Sequence, residues 1–219
     1  MDSPFSQGRF LSIQNTGLPD LADLFFTKKL LTTVIKSDNI YAQKQRRAKK
    51  LKNKTKKIVI SALMAALTLV ATIVIKIPTP MQGYIHLGDA LVLVCGWLLG
   101  PVYGFCAAAI GSAMADILSG YMIYAPATFV IKGLVALVGL LLYIPFAKRT
   151  KSIFALIISA FCAELVMVGM YYIYEGILYG FIPSLVNIPA NLIQGLGGVV
   201  FGVVLMKSVG KYIKSKGIE

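Results

Sequence analysis

From Ile58 onward the chain alternates long apolar runs with short breaks marked by proline, glycine or charge, and most runs approach the ~20 residues that a helix needs to cross a bilayer. The first run, Ile58 to Ile75, stops at Lys76, Pro78 and Pro80, because proline cannot continue a lipid-exposed helix. A second run covers about Asp89 to Leu99, and Gly100-Pro101 turns it into a third, Val102 to Leu118. The fourth spans about Ala127 to Tyr143, behind a Pro126 placed where a helix start tolerates it. The fifth runs from about Ile153 to Tyr174 and the sixth from Ile188 to Met206. The pattern predicts an all-α integral membrane protein with six transmembrane helices in one compact bundle. Residues 57–208 form that domain, 1–56 a basic N-terminal extension and 209–219 a tail. Within the extension, LADLFFTKKLLTTVI sets Leu21, Leu24, Phe25 and Leu31 on one helical face, as a peripheral segment would.

Composition strengthens this picture. A mean hydropathy of +0.76, with 57% hydrophobic and 14% charged residues, lies outside the soluble range. The net charge of +13 suggests a nucleic-acid or anionic-lipid arm until it is located. Residues 44–57 (KQRRAKKLKNKTKK) hold nine Lys or Arg and no acid, directly before the first apolar run, which reads as a positive-inside anchor. With six spans, that segment, the loop of Lys148, Arg149 and Lys151, and the tail KSVGKYIKSKG share one side, so both termini are expected in the cytoplasm. Cys95, Cys106 and Cys162 lie inside apolar runs without metal or disulfide spacing, and no stretch reads as a cleaved signal peptide.

The candidate chemistry concentrates between Gly83 and Gly133 and on the last two helices. His86, the sole histidine, stands three residues before Asp89; Asp116 ends a helix rich in Gly, Ala and Ser; Lys132 lies inside an apolar run and Glu164 near mid-depth of the fifth helix. Charges there are costly unless paired or functional. Asn187, Asn191 and Gln194, at i, i+4 and i+7, share a face. The predicted outer loops add Tyr84, Tyr121 and Tyr124, and the fifth helix Tyr171 and Tyr172. Flat apolar walls with a few placed polar groups are the usual small-molecule design. The candidate substrate-binding set is therefore Tyr84, His86, Tyr121, Tyr124, Lys132, Glu164, Tyr171, Asn187, Asn191 and Gln194. Structural alternatives remain open: Asp116 and Lys132 as a neutralising pair, Asp89 as a helix cap, His86 as a loop hydrogen bonder. There is no G-x-x-x-x-G-K-[ST] loop for ATP phosphates, and neither a serine–histidine pair nor H-E-x-x-H for hydrolysis. The chain reads as a binding protein without catalytic residues, metal or cofactor. Small residues repeat at Gly104, Ala107, Ala108, Gly111 and Ala115, and again at Ala62 and Ala66, where helices can approach closely.

The runs GYIHLGDA, LLGPVYG, GSAMADILSGY and YAPATFVIKG closely resemble the substrate-binding S components of energy-coupling factor (ECF) transporters, in the branch linked to hydroxymethylpyrimidine and pyridoxine. The resemblance covers about residues 58–208. It implies a six-helix S-component fold in the plasma membrane of a prokaryote, and vitamin or precursor binding at the outer side. It also implies docking to a transmembrane T component that carries two ATPase subunits. Ala62-Leu63-Met64-Ala65-Ala66 matches the family's A-x-x-x-A docking motif, which assigns Ala62 and Ala66 to the partner contact. The different-class alternatives are a proton-coupled carrier working as an oligomer through Glu164, and an intramembrane enzyme.

Overall fold

The structure, a computed structural model, describes residue 51 and residues 54–74, 76–78 and 84–215, with side chains to 209. The chain divides into two units, Met1–Lys52 and Asn53–Glu219, and the second holds the elements of the fold. The expected amphipathic segment at 21–35 lies outside the described residues.

Helix α1 spans Lys54–Val74. A short antiparallel hairpin follows, β1 (Ile77–Pro78) paired with β2 (Tyr84–Ile85). The remaining helices are α2 (Gly88–Leu99), α3 (Pro101–Leu118), α4 (Ala125–Ala147), α5 (Ser152–Tyr179), a single turn α6 (Phe181–Ser184) and, beyond the 3-10 turn Leu185–Asn187, α7 (Ile188–Ser215). Among the described residues five helical stretches are long and apolar enough to cross a membrane, and α2 is not one of them. At 12 residues and about 1.5 Å per residue it reaches ~18 Å, short of the ~30 Å apolar layer. It packs on α3, α4 and α7 with its N-terminal turn buried and Val92, Leu93 and Cys95 fully buried.

Local chemistry explains the boundaries. Gly100, at φ 82°, takes a left-handed conformation that a side chain would strain, and Pro101 starts α3 where its missing N–H costs nothing. Helix α4 runs through Pro145 and outlasts the predicted end at Tyr143 by four residues, and α5 continues past Tyr174 to Tyr179, where Gly180 stops it. The small-residue stripe of α3 is internal packing: a Cβ on Gly104 would strike the Cys95 carbonyl of α2, and one on Gly111 the Ala65 carbonyl of α1; on α2 itself a Cβ on Gly96 would strike the Ala136 carbonyl of α4. On α1 itself, Met64, Thr68 and Thr72 turn inward while Ala62, Leu63 and Ala66 are exposed.

Chain connectivity places the hairpin, the α3–α4 loop and the α5–α7 connection at one end of the bundle. Lys54, Lys56, Lys57, Lys148, Arg149 and Lys151 gather at the other.

Candidate functional site

The hairpin end holds a cavity that opens to solvent, about 410 Å³ of space with its open mouth included. Aromatic rings form its walls: Tyr84 from β2, Tyr121 and Tyr124 from the α3–α4 loop, and Tyr171 from α5. The Tyr84 ring packs on Tyr121 at 4.8 Å and on His86 at 5.3 Å between centroids. Polar groups fill in between, with His86, Asn187, Asn191 and Gln194 from the predicted set joined by Asp116, Thr128 and Glu175.

These polar groups are tied to one another. The Tyr84 hydroxyl donates to Asp116 Oδ1 at 2.5 Å, so Asp116 pairs with the hairpin. Burial, then the Asp116 charge, push the Tyr84 phenol above its ordinary pKa and keep it a donor. Thr128 Oγ1 and the Tyr171 hydroxyl are 3.0 Å apart. Asn187 Nδ2 donates to Glu175 Oε1 at 3.0 Å. His86 Nδ1 accepts the Gly88 N–H at 3.0 Å, which requires that nitrogen to be unprotonated. Burial, opposed by Asp89, lowers the imidazole to about 4, so it is neutral at physiological pH.

Two candidates lie outside the cavity wall. Lys132, fully buried on α4, forms an ion pair with Asp89 of α2 and donates to Met167 Sδ of α5 at 2.9 Å. Asp89 is thus the lysine's partner and makes no side-chain cap bond. The alternative pairing of Lys132 with Asp116 gives way to this one, because the cation's short bonds go to Asp89 and Met167. Gln194 joins this buried layer to the cavity: its Nε2 donates to Asp89 Oδ2 at 2.7 Å and its Oε1 accepts the His86 backbone N–H at 3.2 Å. Glu164 faces α7, where glycines make room for it; a Cβ on Gly198 would lie 3.0 Å from Oε1. It borders a separate apolar groove with Phe161, Leu165, Val168, Leu192 and Leu196. Tyr172 packs on Phe181, 5.8 Å between centroids.

Asp116, Thr128 and Glu175 were absent from the predicted set, yet a sequence signal existed for two of them. Thr128 stands four residues after Tyr124 and four before Lys132, and Glu175 four after Tyr171, which puts each on a helical face already marked by a candidate. The described residues include no group of three or more His, Cys, Asp or Glu suited to a metal. The three cysteines are free, Cys95 buried and Cys106 exposed.

The architecture and the sequence have relatives. The family model for the ECF-type riboflavin transporter, S component, matches residues 52–211. A Pyrococcus woesei chain named as an uncharacterized protein in a gap 3' region is 30% identical over 151 residues, 66% of this chain and 98% of the relative. Among solved structures, the S component of a bacterial ECF transporter superposes with a TM-score of 0.61 at 23% identity, over 74% of this chain and 99% of the other. An S component for biotin from an ECF-type ABC transporter gives a TM-score of 0.47 at 22% identity, over 71% and 93%. S components are the substrate-binding subunits of transporters rather than enzymes, and they work with a T component and ATPases on vitamin substrates. With nearly three quarters of its length inside the matched model, this chain belongs to the ECF-type riboflavin transporter S-component family.

Proposed function

We propose that the protein is the specificity subunit of a vitamin importer in the plasma membrane. It captures a single-ring vitamin or precursor of the hydroxymethylpyrimidine or pyridoxine type from the outer side. The observation that carries this reading is the open cavity walled by four tyrosines and furnished with side-chain amides and carboxyls, at the end opposite the basic segments. If the basic end lies in the cytoplasm, as loop charge favours, the cavity faces outward. Its aromatic walls suit one heteroaromatic ring stacked between phenols. Riboflavin, a three-ring ligand, is the second reading, favoured by the description of the matched family.

The chain carries no phosphate-cradling loop, so ATP hydrolysis belongs to two partner ATPases acting through a T component. Exposed Ala62 and Ala66 on α1 offer a small-residue face on which a partner helix can seat closely.

Calorimetric titration of the isolated protein in nanodiscs, without ATP, tests the reading with hydroxymethylpyrimidine, pyridoxine and riboflavin. Tight binding of one single-ring compound is expected, since a preformed site with aromatic walls and placed polar groups is what lets so small a ligand reach nanomolar affinity. Riboflavin binding alone selects the second reading, and no binding by any of the three removes both.

A further inference from the structure

We propose that Glu175 and Asn187 form the specificity subsite of this cavity, a paired acceptor edge that demands a substrate with adjacent N–H donors and rejects phosphate and carboxylate groups. The inference rests on the reading of the cavity as the substrate site, and deepens it to a chemical class.

Glu175 comes from the last turns of α5 and Asn187 from the 3-10 turn that leads into α7. They are 3% and 2% exposed. The single bond between them, Asn187 Nδ2 to Glu175 Oε1, uses one oxygen of the carboxylate and the donor of the amide. Among the described residues Glu175 Oε2 and Asn187 Oδ1 are buried acceptors without a hydrogen-bond partner, and both residues line the cavity. Buried acceptors are almost always satisfied in folded proteins, so two open acceptors on hydrogen-bonded neighbours at a cavity wall are a template for two donors. A ring amino group beside a protonated or N–H ring nitrogen presents that edge. Phosphate and carboxylate oxygens present only further acceptors.

The charges around the cavity act in the same direction. Its described lining includes the carboxyls of Asp116 and Glu175 and neither lysine nor arginine. Lys132 is committed to Asp89 and Met167 behind the wall. Lys76 stands 5.3 Å from the Tyr84 ring centroid and donates to Ser119 Oγ. His86 already uses Nδ1 to accept the Gly88 N–H. An entering anion would lose its water against two wall carboxyls with no lysine or arginine among the described lining, whereas a neutral or cationic aminated ring gains acceptors and aromatic walls.

The test uses matched ligands on the full chain in nanodiscs: hydroxymethylpyrimidine with its ring amino group, the same ring with oxygen replacing the amino group, and the phosphate ester of the parent. Titration of the wild type should show the oxygen analogue and the ester each weaker than the parent by roughly 100-fold, because a site built to hydrogen-bond a donor rejects analogues lacking it. Glu175→Gln should weaken the parent by at least about 10-fold and narrow its advantage over the ester. Thermal melting of the variant separates this from misfolding, and the wild-type ratios decide the matter even if the variant does not fold. Ratios near one in the wild type overturn the subsite while leaving the vitamin-binding reading intact. Failure of all three rings, together with pyridoxine and riboflavin, overturns both.

Discussion

Replacing Lys132 by methionine isolates the energetics of the buried layer behind the cavity. Lys132 and Asp89 are both fully buried, and the lysine is the only cation bonded to that carboxylate among the described residues. Lys132→Met preserves much of the side-chain volume and the contact with Met167. It strands the Asp89 carboxylate with one remaining neutral donor, Gln194 Nε2 at 2.7 Å. Breaking a buried pair from one side costs about 3–5 kcal/mol, far more than the 0–1 kcal/mol of an exposed pair. On the scale of soluble domains of this size, that loss lowers the melting temperature by on the order of 10 °C. The double variant Lys132→Met/Asp89→Leu removes both charges and leaves only Gln194 short of an acceptor, a cost of about 1–2 kcal/mol. Thermal melts of wild type, both single variants and the double variant in the same detergent close a cycle: with each one-sided removal at about 3–5 kcal/mol and the double at about 1–2, the coupling should be about 4–9 kcal/mol. A Lys132→Met protein as stable as wild type, or a double variant no more stable than Lys132→Met, would refute the reasoning.

Three further outcomes are expected. His86 has its imidazole lowered from 6.5 to about 4, so the unfolded chain takes up a proton first; stability is complete above pH 6.5 and falls by about 3 kcal/mol as pH drops toward 4. Melting curves across that window should show the slope in wild type and a flatter one in His86→Asn. Gly96→Ala should cost about 1–3 kcal/mol, because its methyl meets the backbone carbonyl of Ala136, which a rotamer change cannot relieve; an unchanged melting temperature would contradict the close α2–α4 approach. Ala62→Trp and Ala66→Trp, on the exposed face of α1, should leave ligand affinity within a few fold yet abolish uptake and co-purification with a T component. Joint loss of folding and binding would place those alanines inside the bundle instead.

Helix positions were legible because each apolar run is long and its breaks are proline, glycine or charge, signals that act locally. Helix α4 passes the expected end at Tyr143 and takes in Pro145, since a proline close to a helix terminus needs only one carbonyl to find another donor. The site was legible in part for a related reason. Tyrosines and amides clustered in the loops at one end announce a cavity, but which buried charge meets which depends on helix rotation. Lys132 could face Asp116, one turn from the α3 terminus, or Asp89 on a different helix, 43 positions away; only the packing of α2 between α4 and α7 selects the second. Glu164 looks like a ligand contact by depth alone, and the glycines at 195 and 198 that draw it toward α7 reveal their purpose only once the two helices are side by side.

The central claim is that the space between Tyr84, Tyr121, Tyr171 and Gln194 is where the vitamin sits. Asn191, half-buried on its wall, allows that space to be filled with little disturbance to the core. Native mass spectrometry of wild type and Asn191→Trp, each loaded with the tightest-binding ring from the titration panel and matched for melting temperature, measures occupancy directly. The account predicts one ring bound per wild-type chain and none on the variant. A ring retained at equal occupancy by Asn191→Trp would contradict it.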